Sequence, residues 1–165
     1  MPAVPNAFRT PVEVAVTRFP TRPLLTLAAL LALAGCATVP MESAQEEARG
    51  KQFIPPQPDK GSLYVFRRGF MGAMVPIPVT IAGGMQTELA QNTWVWLEGA
   101  PATIDVKCTM SDGSADTAVN VGPGEMRFVE VAFRPGLLGG RCAVTEVPAA
   151  EGRGAVLAGH RAVGP

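Results

Sequence analysis

Apolar positions along this chain fall into three regimes. Leu24 to Ala34 is an 11-residue apolar run behind Arg18 and Arg22. Residues 37–60 are polar and carry Pro55, Pro56 and Pro58. From Gly61 onward, short apolar segments with a period of two alternate with Gly, Pro and Asp, which predicts strands joined by turns. Leu63-Tyr64-Val65-Phe66 is the first strand. Val75 to Ile81 is the second, with Val75, Ile77, Val79 and Ile81 on one face. Pro76 and Pro78 donate no ladder bond, so this strand is placed at a sheet edge or near a bulge. Gly83-Gly84 turns the chain into Met85 to Leu89, and Thr93-Trp94-Val95-Trp96-Leu97 follows.

The cleanest alternation comes next. Ala102, Ile104, Val106 and Cys108 face one way, while Thr103, Asp105 and Lys107 face water. Asp112-Gly113 turns into Ser114 to Val121. Gly122-Pro123-Gly124 then turns into a strand whose core face is Val129, Val131 and Phe133. Arg134 to Gly140 reads as a Gly-rich loop, and Arg141 to Val147 is the last strand, with Cys142 and Val144 on one face. About seven or eight short antiparallel strands predict an all-β domain over residues 61–148, a β-sandwich or a small barrel, of which the small β-sandwich is the expected fold. Residues 149–165, with four glycines, predict a weakly ordered tail: a weak helix or a disordered end.

The apolar run changes the picture of where the chain works. A positive flank, a short hydrophobic stretch and small residues at its end describe a secretory signal over residues 1–35, too short to span a bilayer. Leu33-Ala34-Gly35-Cys36 resembles the bacterial lipobox. The resemblance implies cleavage between Gly35 and Cys36 and acylation of Cys36, a covalent lipid being the one attached group expected. Ala37, not Asp, follows the cysteine, which by the same resemblance points to the periplasmic face of the outer membrane. Residues 37–60 then read as a tether in which residues 41–49 form a short exposed helix. As a flexible coil it reaches on the order of 25–30 Å.

Charge and cysteines narrow the function classes. Removing the three arginines and one glutamate of residues 1–35 leaves 11 basic and 13 acidic residues, a net charge near −2. No Lys/Arg run stands out, so nucleic acid is not an expected partner. With Cys36 assigned to lipid, Cys108 and Cys142 remain in an oxidising compartment, where a disulfide is the default and two buried free thiols the alternative. Closing a loop of about 35 residues is worth roughly 3–4 kcal/mol in the chain-entropy picture.

Gly61-Ser62-Leu63-Tyr64-Val65-Phe66-Arg67 and Val79-Thr80-Ile81-Ala82-Gly83 resemble the opening strand and the following hairpin of the bacterial lipoprotein family called domain of unknown function 2846. Glu98-Gly99-Ala100-Pro101-Ala102 departs from it by reversing a Pro-Gly step. The resemblance covers about residues 61–148. It implies a lipid-anchored β-sandwich without an established activity and supplies no catalytic residues.

Candidate chemistry is sparse. His160, the sole histidine, lies in the Gly-rich tail, which gives little support to a Ser-His-Asp or Cys-His mechanism. Asp112 and Asp116 lack the remaining oxygen ligands of a calcium loop, so no metal site is expected. Two features point instead to binding. Arg67, Arg68, Phe70 and Met71 form an apolar loop beside two arginines, which either contacts a partner protein or lipid head groups or folds back on its own domain. Trp94 and Trp96 share one strand face, which is either core or an exposed aromatic stripe. The expected function is a non-enzymatic, lipid-anchored periplasmic module with an envelope protein as partner. The alternative is a carrier of a small apolar ligand or lipid between its sheets.

Overall fold

The structure is a computed structural model in which residues 38–164 are described. Gly35 and Cys36, read above as the cleavage and acylation sites, lie outside the described residues. Nine strands form two sheets around one interior. They are β1 (Gly61–Arg67), β2 (Ile77–Ile81), β3 (Met85–Leu89), β4 (Thr93–Gly99), β5 (Ala102–Met110), β6 (Gly113–Val121), β7 (Met126–Pro135), β8 (Gly140–Val147) and β9 (His160–Arg161). One sheet has the order β8-β7-β1-β4-β9, the other β3-β2-β5-β6. Most neighbours are antiparallel, but β1 runs parallel to β7 and β4 parallel to β9. A short helix, α1 (Ala44–Gly50), precedes the strands, and α2 (Ala149–Ala158) lies between β8 and β9. None of the described helices is long and apolar enough to cross a membrane.

The period-two pattern reaches the interior at most of the expected positions; Val75 lies before β2 and Ala102 at the start of β5, and both are exposed because they sit at the ends of the sheet. Leu63 and Val65 of β1, Val95 of β4, and Val129 and Val131 of β7 point at Ile77, Val79, Ile81, Val106 and Val119 of the facing sheet. Thr103, Asp105 and Lys107 are exposed. β1 is buried along its whole length because it is central in its sheet and covered on both faces.

The prolines of the second strand act differently from expectation. β2 lies between β3 and β5, not at an edge. Its ladder with β5 runs only from Val79 to Ile81, so Pro78 sits beyond the last bond on that side and leaves none unmade. At the β2–β3 turn, Ala82 and Gly83 both have positive φ, 51° and 72°. That pair of left-handed residues matches the twist of a tight hairpin.

The segments flanking the sandwich are packed rather than loose. Val39 is buried in the inner core, and Met41 bridges to Ala162. In α1 the Ser43 hydroxyl accepts from the Glu46 amide at 3.2 Å, a cap that satisfies a free helix N–H. The helix end is then fixed by the Tyr64 hydroxyl, which donates to the Gly50 carbonyl at 2.9 Å. Residues 39–50 are thus part of the body, and so is the stretch that follows, where Phe53 packs on Tyr64 and Phe128 and Pro56 is buried, so the segment expected as a tether over 37–60 is packed from Val39 onward. Residues 149–164, expected as a weakly ordered tail, form α2 and β9. α2 is held by packing, with Val156 buried. Its Gly152 lies so close to the Phe128 ring that a Cβ would overlap it. β9 docks on β4 through Thr93↔His160 and Trp94↔Arg161.

Candidate interaction surface

The residues singled out for binding divide into three environments. Trp94 is fully buried and Trp96 half-buried, so the exposed aromatic stripe is not formed. They do not join the interior between the sheets. Instead they cover the outer face of the five-stranded sheet with Tyr64, Phe66, Phe128 and Val156. Register explains the layer. Tyr64 is level with Trp96 on one side and with Phe128 on the other. Its ring therefore stacks between theirs, at 5.8 and 5.1 Å between centroids. Arg49 and Arg161 lie over Trp96 at 5.6 and 5.4 Å, and Arg153 lies over Phe53 at 5.3 Å. Burial pushes the Tyr64 hydroxyl up to about 12, consistent with a phenol that stays protonated and donates.

Arg67 is 1% exposed and is not available to a partner. Its guanidinium donates to the carbonyls of Val75 (2.6 Å), Leu89 (3.0 Å), Gly72 (2.6 Å) and, more weakly, Met71 (3.4 Å). Burial holds it below its ordinary pKa, and the carbonyl dipoles stabilise the buried guanidinium charge. Arg68 forks onto Glu130 with two 3.0 Å bonds and also reaches Glu151. Those carboxylates raise its pKa, so its charge is already matched. Neither arginine of the expected pair is free for a ligand.

Phe70 and Met71, by contrast, are exposed, and Met74 beside them is too. The structure brings a second apolar loop to the same end of the molecule. β1 and β7 run parallel, so the loops that follow them, residues 68–76 and 136–139, leave on the same side. The Phe133 ring lies between Gly72 of the first and Gly140 at the end of the second, touching both closely enough to forbid a Cβ. The second loop presents Leu137, fully exposed, and Leu138, 87% exposed. The signal for it was a Leu-Leu pair between Gly136 and Gly139, where turn chemistry favours polar side chains.

Cys108 of β5 and Cys142 of β8 form a disulfide, which clamps the two sheets together just behind this end. His160 has Nδ1 3.3 Å from the Glu47 carboxylate. The space between the sheets is filled by aliphatic side chains, so an apolar ligand would have to displace them. Among the described residues, no three His, Cys, Asp or Glu are grouped to hold a metal ion.

No family model matches the chain, and no solved structure matches it. A protein of Haemophilus influenzae described as an uncharacterized protein is similar to it. The two are 25% identical over 126 residues, covering 76% of this chain and 75% of that protein.

Proposed function

We propose that this chain is a lipid-anchored, periplasmic accessory module of the bacterial cell envelope, without catalysis of its own, that acts by contact. The observation that carries the reading is Leu33-Ala34-Gly35-Cys36 at the end of the Leu24–Ala34 run, placed where a secreted precursor would be cut and acylated. The Cys108–Cys142 disulfide supports it, because such bonds persist in oxidising compartments. Placement at the outer membrane rests on Ala37 following the cysteine. Val39 is already buried, so only Ala37 and Thr38 separate an acylated Cys36 from the folded body. Three residue steps reach about 10 Å at most. The module would ride against the membrane surface rather than extend far from it.

The test is mass spectrometry of the mature amino terminus with and without globomycin, which blocks lipoprotein signal cleavage. Diacylglyceryl-Cys36, with precursor accumulating under the drug, is the expected result. An unmodified amino terminus or a cytoplasmic product would overturn the reading.

A further inference from the structure

We propose that the end of the sandwich bearing the 68–76 and 136–139 loops is a second membrane contact, inserting its apolar tips into a bilayer while Arg134 and Arg141 hold anionic lipid phosphates. Four observations carry this. The tips project singly and are almost wholly wet, with Phe70 82% and Leu138 87% exposed and Leu137 completely so. Such side chains suit insertion between head groups.

Both loops are held in place from beneath. The buried Arg67 guanidinium binds three carbonyls of the first loop, those of Met71, Gly72 and Val75. The Asp112 carboxylate accepts from the Leu138 and Gly139 amides at 3.1 Å. The apolar side chains are therefore displayed by an ordered frame.

The third observation is electrostatic. Arg134 and Arg141 are directly opposite one another across β7 and β8, in the second pair from the loop, after Pro135 and Gly140. Like charges so placed repel. Both side chains belong to exposed residues, and among the described residues neither forms a salt bridge. The nearby carboxylates are engaged elsewhere: Asp112 by the loop amides, Glu130 and Glu151 by Arg68. Arginines on directly paired positions can both reach one phosphate, and binding one would relieve their repulsion.

Fourth, the chain enters the folded body on a compatible side. Val39 and Pro40 border one groove with Pro78 and Thr109. Pro78 is the second residue of the strand that leaves the first loop, and Thr109 precedes the turn at Ser111-Asp112. An acyl anchor near Val39 would bring this end toward the same membrane, but the contact itself does not depend on the anchor.

The test uses the chain from Ala37 onward, which contains both cores and the disulfide and has no acyl group. Its co-sedimentation is measured with vesicles of phosphatidylcholine alone and of phosphatidylcholine mixed with phosphatidylglycerol. Binding to the mixed vesicles is expected. Arg134→Ser with Arg141→Ser should weaken it about 30-fold, each arginine near an anionic surface contributing a factor of roughly five. Leu137→Ser with Leu138→Ser should weaken it at least about tenfold. Both double variants change exposed side chains and should melt as the parent does. Equal binding to both vesicle types, unchanged binding of the variants, or no binding would overturn the proposal. So would self-association, or capture of an envelope protein, that the leucine variant abolishes while vesicles remain unbound. The mass of the mature amino terminus bears only on acylation, so the two readings fail separately.

Discussion

The five-stranded sheet buries its two faces by different means. Its inner face meets the second sheet through aliphatic side chains, among them Leu63, Val65, Val95, Val129 and Val131. Its outer face carries Tyr64, Phe66, Trp94 and Phe128, and what covers them is not a sheet. α1, Phe53, α2 and β9 supply the roof. They do so with one buried valine, two glycines pressed on rings, and arginines lying over aromatic faces. The inner core is a repeat of one device, and the loss of any one valine leaves the rest in register. The outer layer depends on a few large contacts, each made by a different segment of chain. That contrast predicts two layers that respond differently to the same size of perturbation.

The largest effect is expected in the outer layer. Trp94→Ala removes a fully buried ring that touches Gly50 of α1 and lies beneath Arg161 of β9. A loss of about 3–5 kcal/mol is expected in urea unfolding. Native-state hydrogen exchange should show where it falls. The amides of α1, and those of His160 and Ala162, should lose protection well before those of β5 and β6. Uniform loss across all strands would show that the two layers melt as one unit and break the comparison.

Reduction of Cys108–Cys142 is the matching perturbation of the inner core, since the bond joins β5 of one sheet to β8 of the other. Opening it should cost about 3–4 kcal/mol, because the unfolded chain regains the freedom of a long loop. The melting midpoint should then fall by roughly 10–20 °C. Far-ultraviolet and aromatic near-ultraviolet signals should fall together, since the whole sandwich loosens. If the midpoint does not move, the sheets are held by the aliphatic contacts alone and the clamp contributes little.

These two layers also differ in how far they can be read from residues alone. Inner positions announce themselves by alternation. Val106 and Cys108, or Val129 and Val131, recur every second residue, and two cysteines on inward positions point at each other. Outer positions alternate just as well, which is why Trp94 and Trp96 could be placed on one face but not assigned a cover. Their cover comes from segments whose local signals are weak or misleading. Gly152 and Gly154 lower helix propensity, so α2 reads as a tail. The absence of a Cβ at Gly152 is what lets the helix approach Phe128. Arg67 is harder still. A cation after an aromatic strand reads as surface, and only the fold shows that carbonyls from a loop and from the end of β3 converge on it. The meeting of the 68–76 and 136–139 loops at one end is likewise invisible in one dimension, because it follows from the parallel pairing of strands separated by most of the domain.

The smallest expected effect tests the hinge of the outer roof by pH. Glu47 of α1 accepts from Lys51 through Oε1 at 2.6 Å and from the Arg161 amide of β9 through Oε2 at 3.3 Å, with His160 Nδ1 3.3 Å from Oε1. Burial raises the pKa of this carboxyl, but the Lys51 and Arg161 hydrogen bonds and the Lys51 and His160 charges outweigh it, and the net direction is down. A carboxyl depressed in the folded state adds stability above its unfolded pKa and loses it as pH falls through the folded value. The window therefore opens at the usual carboxylate pKa and extends below it, to the depressed folded value. Glu46 joins the same contact through Arg161 at 2.8 Å and accounts for part of any acid response. Partial exposure keeps the contribution under about 1 kcal/mol. Glu47→Gln should therefore lower the urea midpoint slightly at neutral pH, and the difference from the parent should shrink as the pH falls through the folded value. Corrected for the intrinsic pH dependence of exchange, the protection factor of the Arg161 amide should fall in the parent on acidification and be low at both pH values in the variant. An Arg161 amide equally protected in both proteins at neutral pH would show that β9 is held by its ladder with β4, and that α1 contributes to the roof only through the rings beneath it.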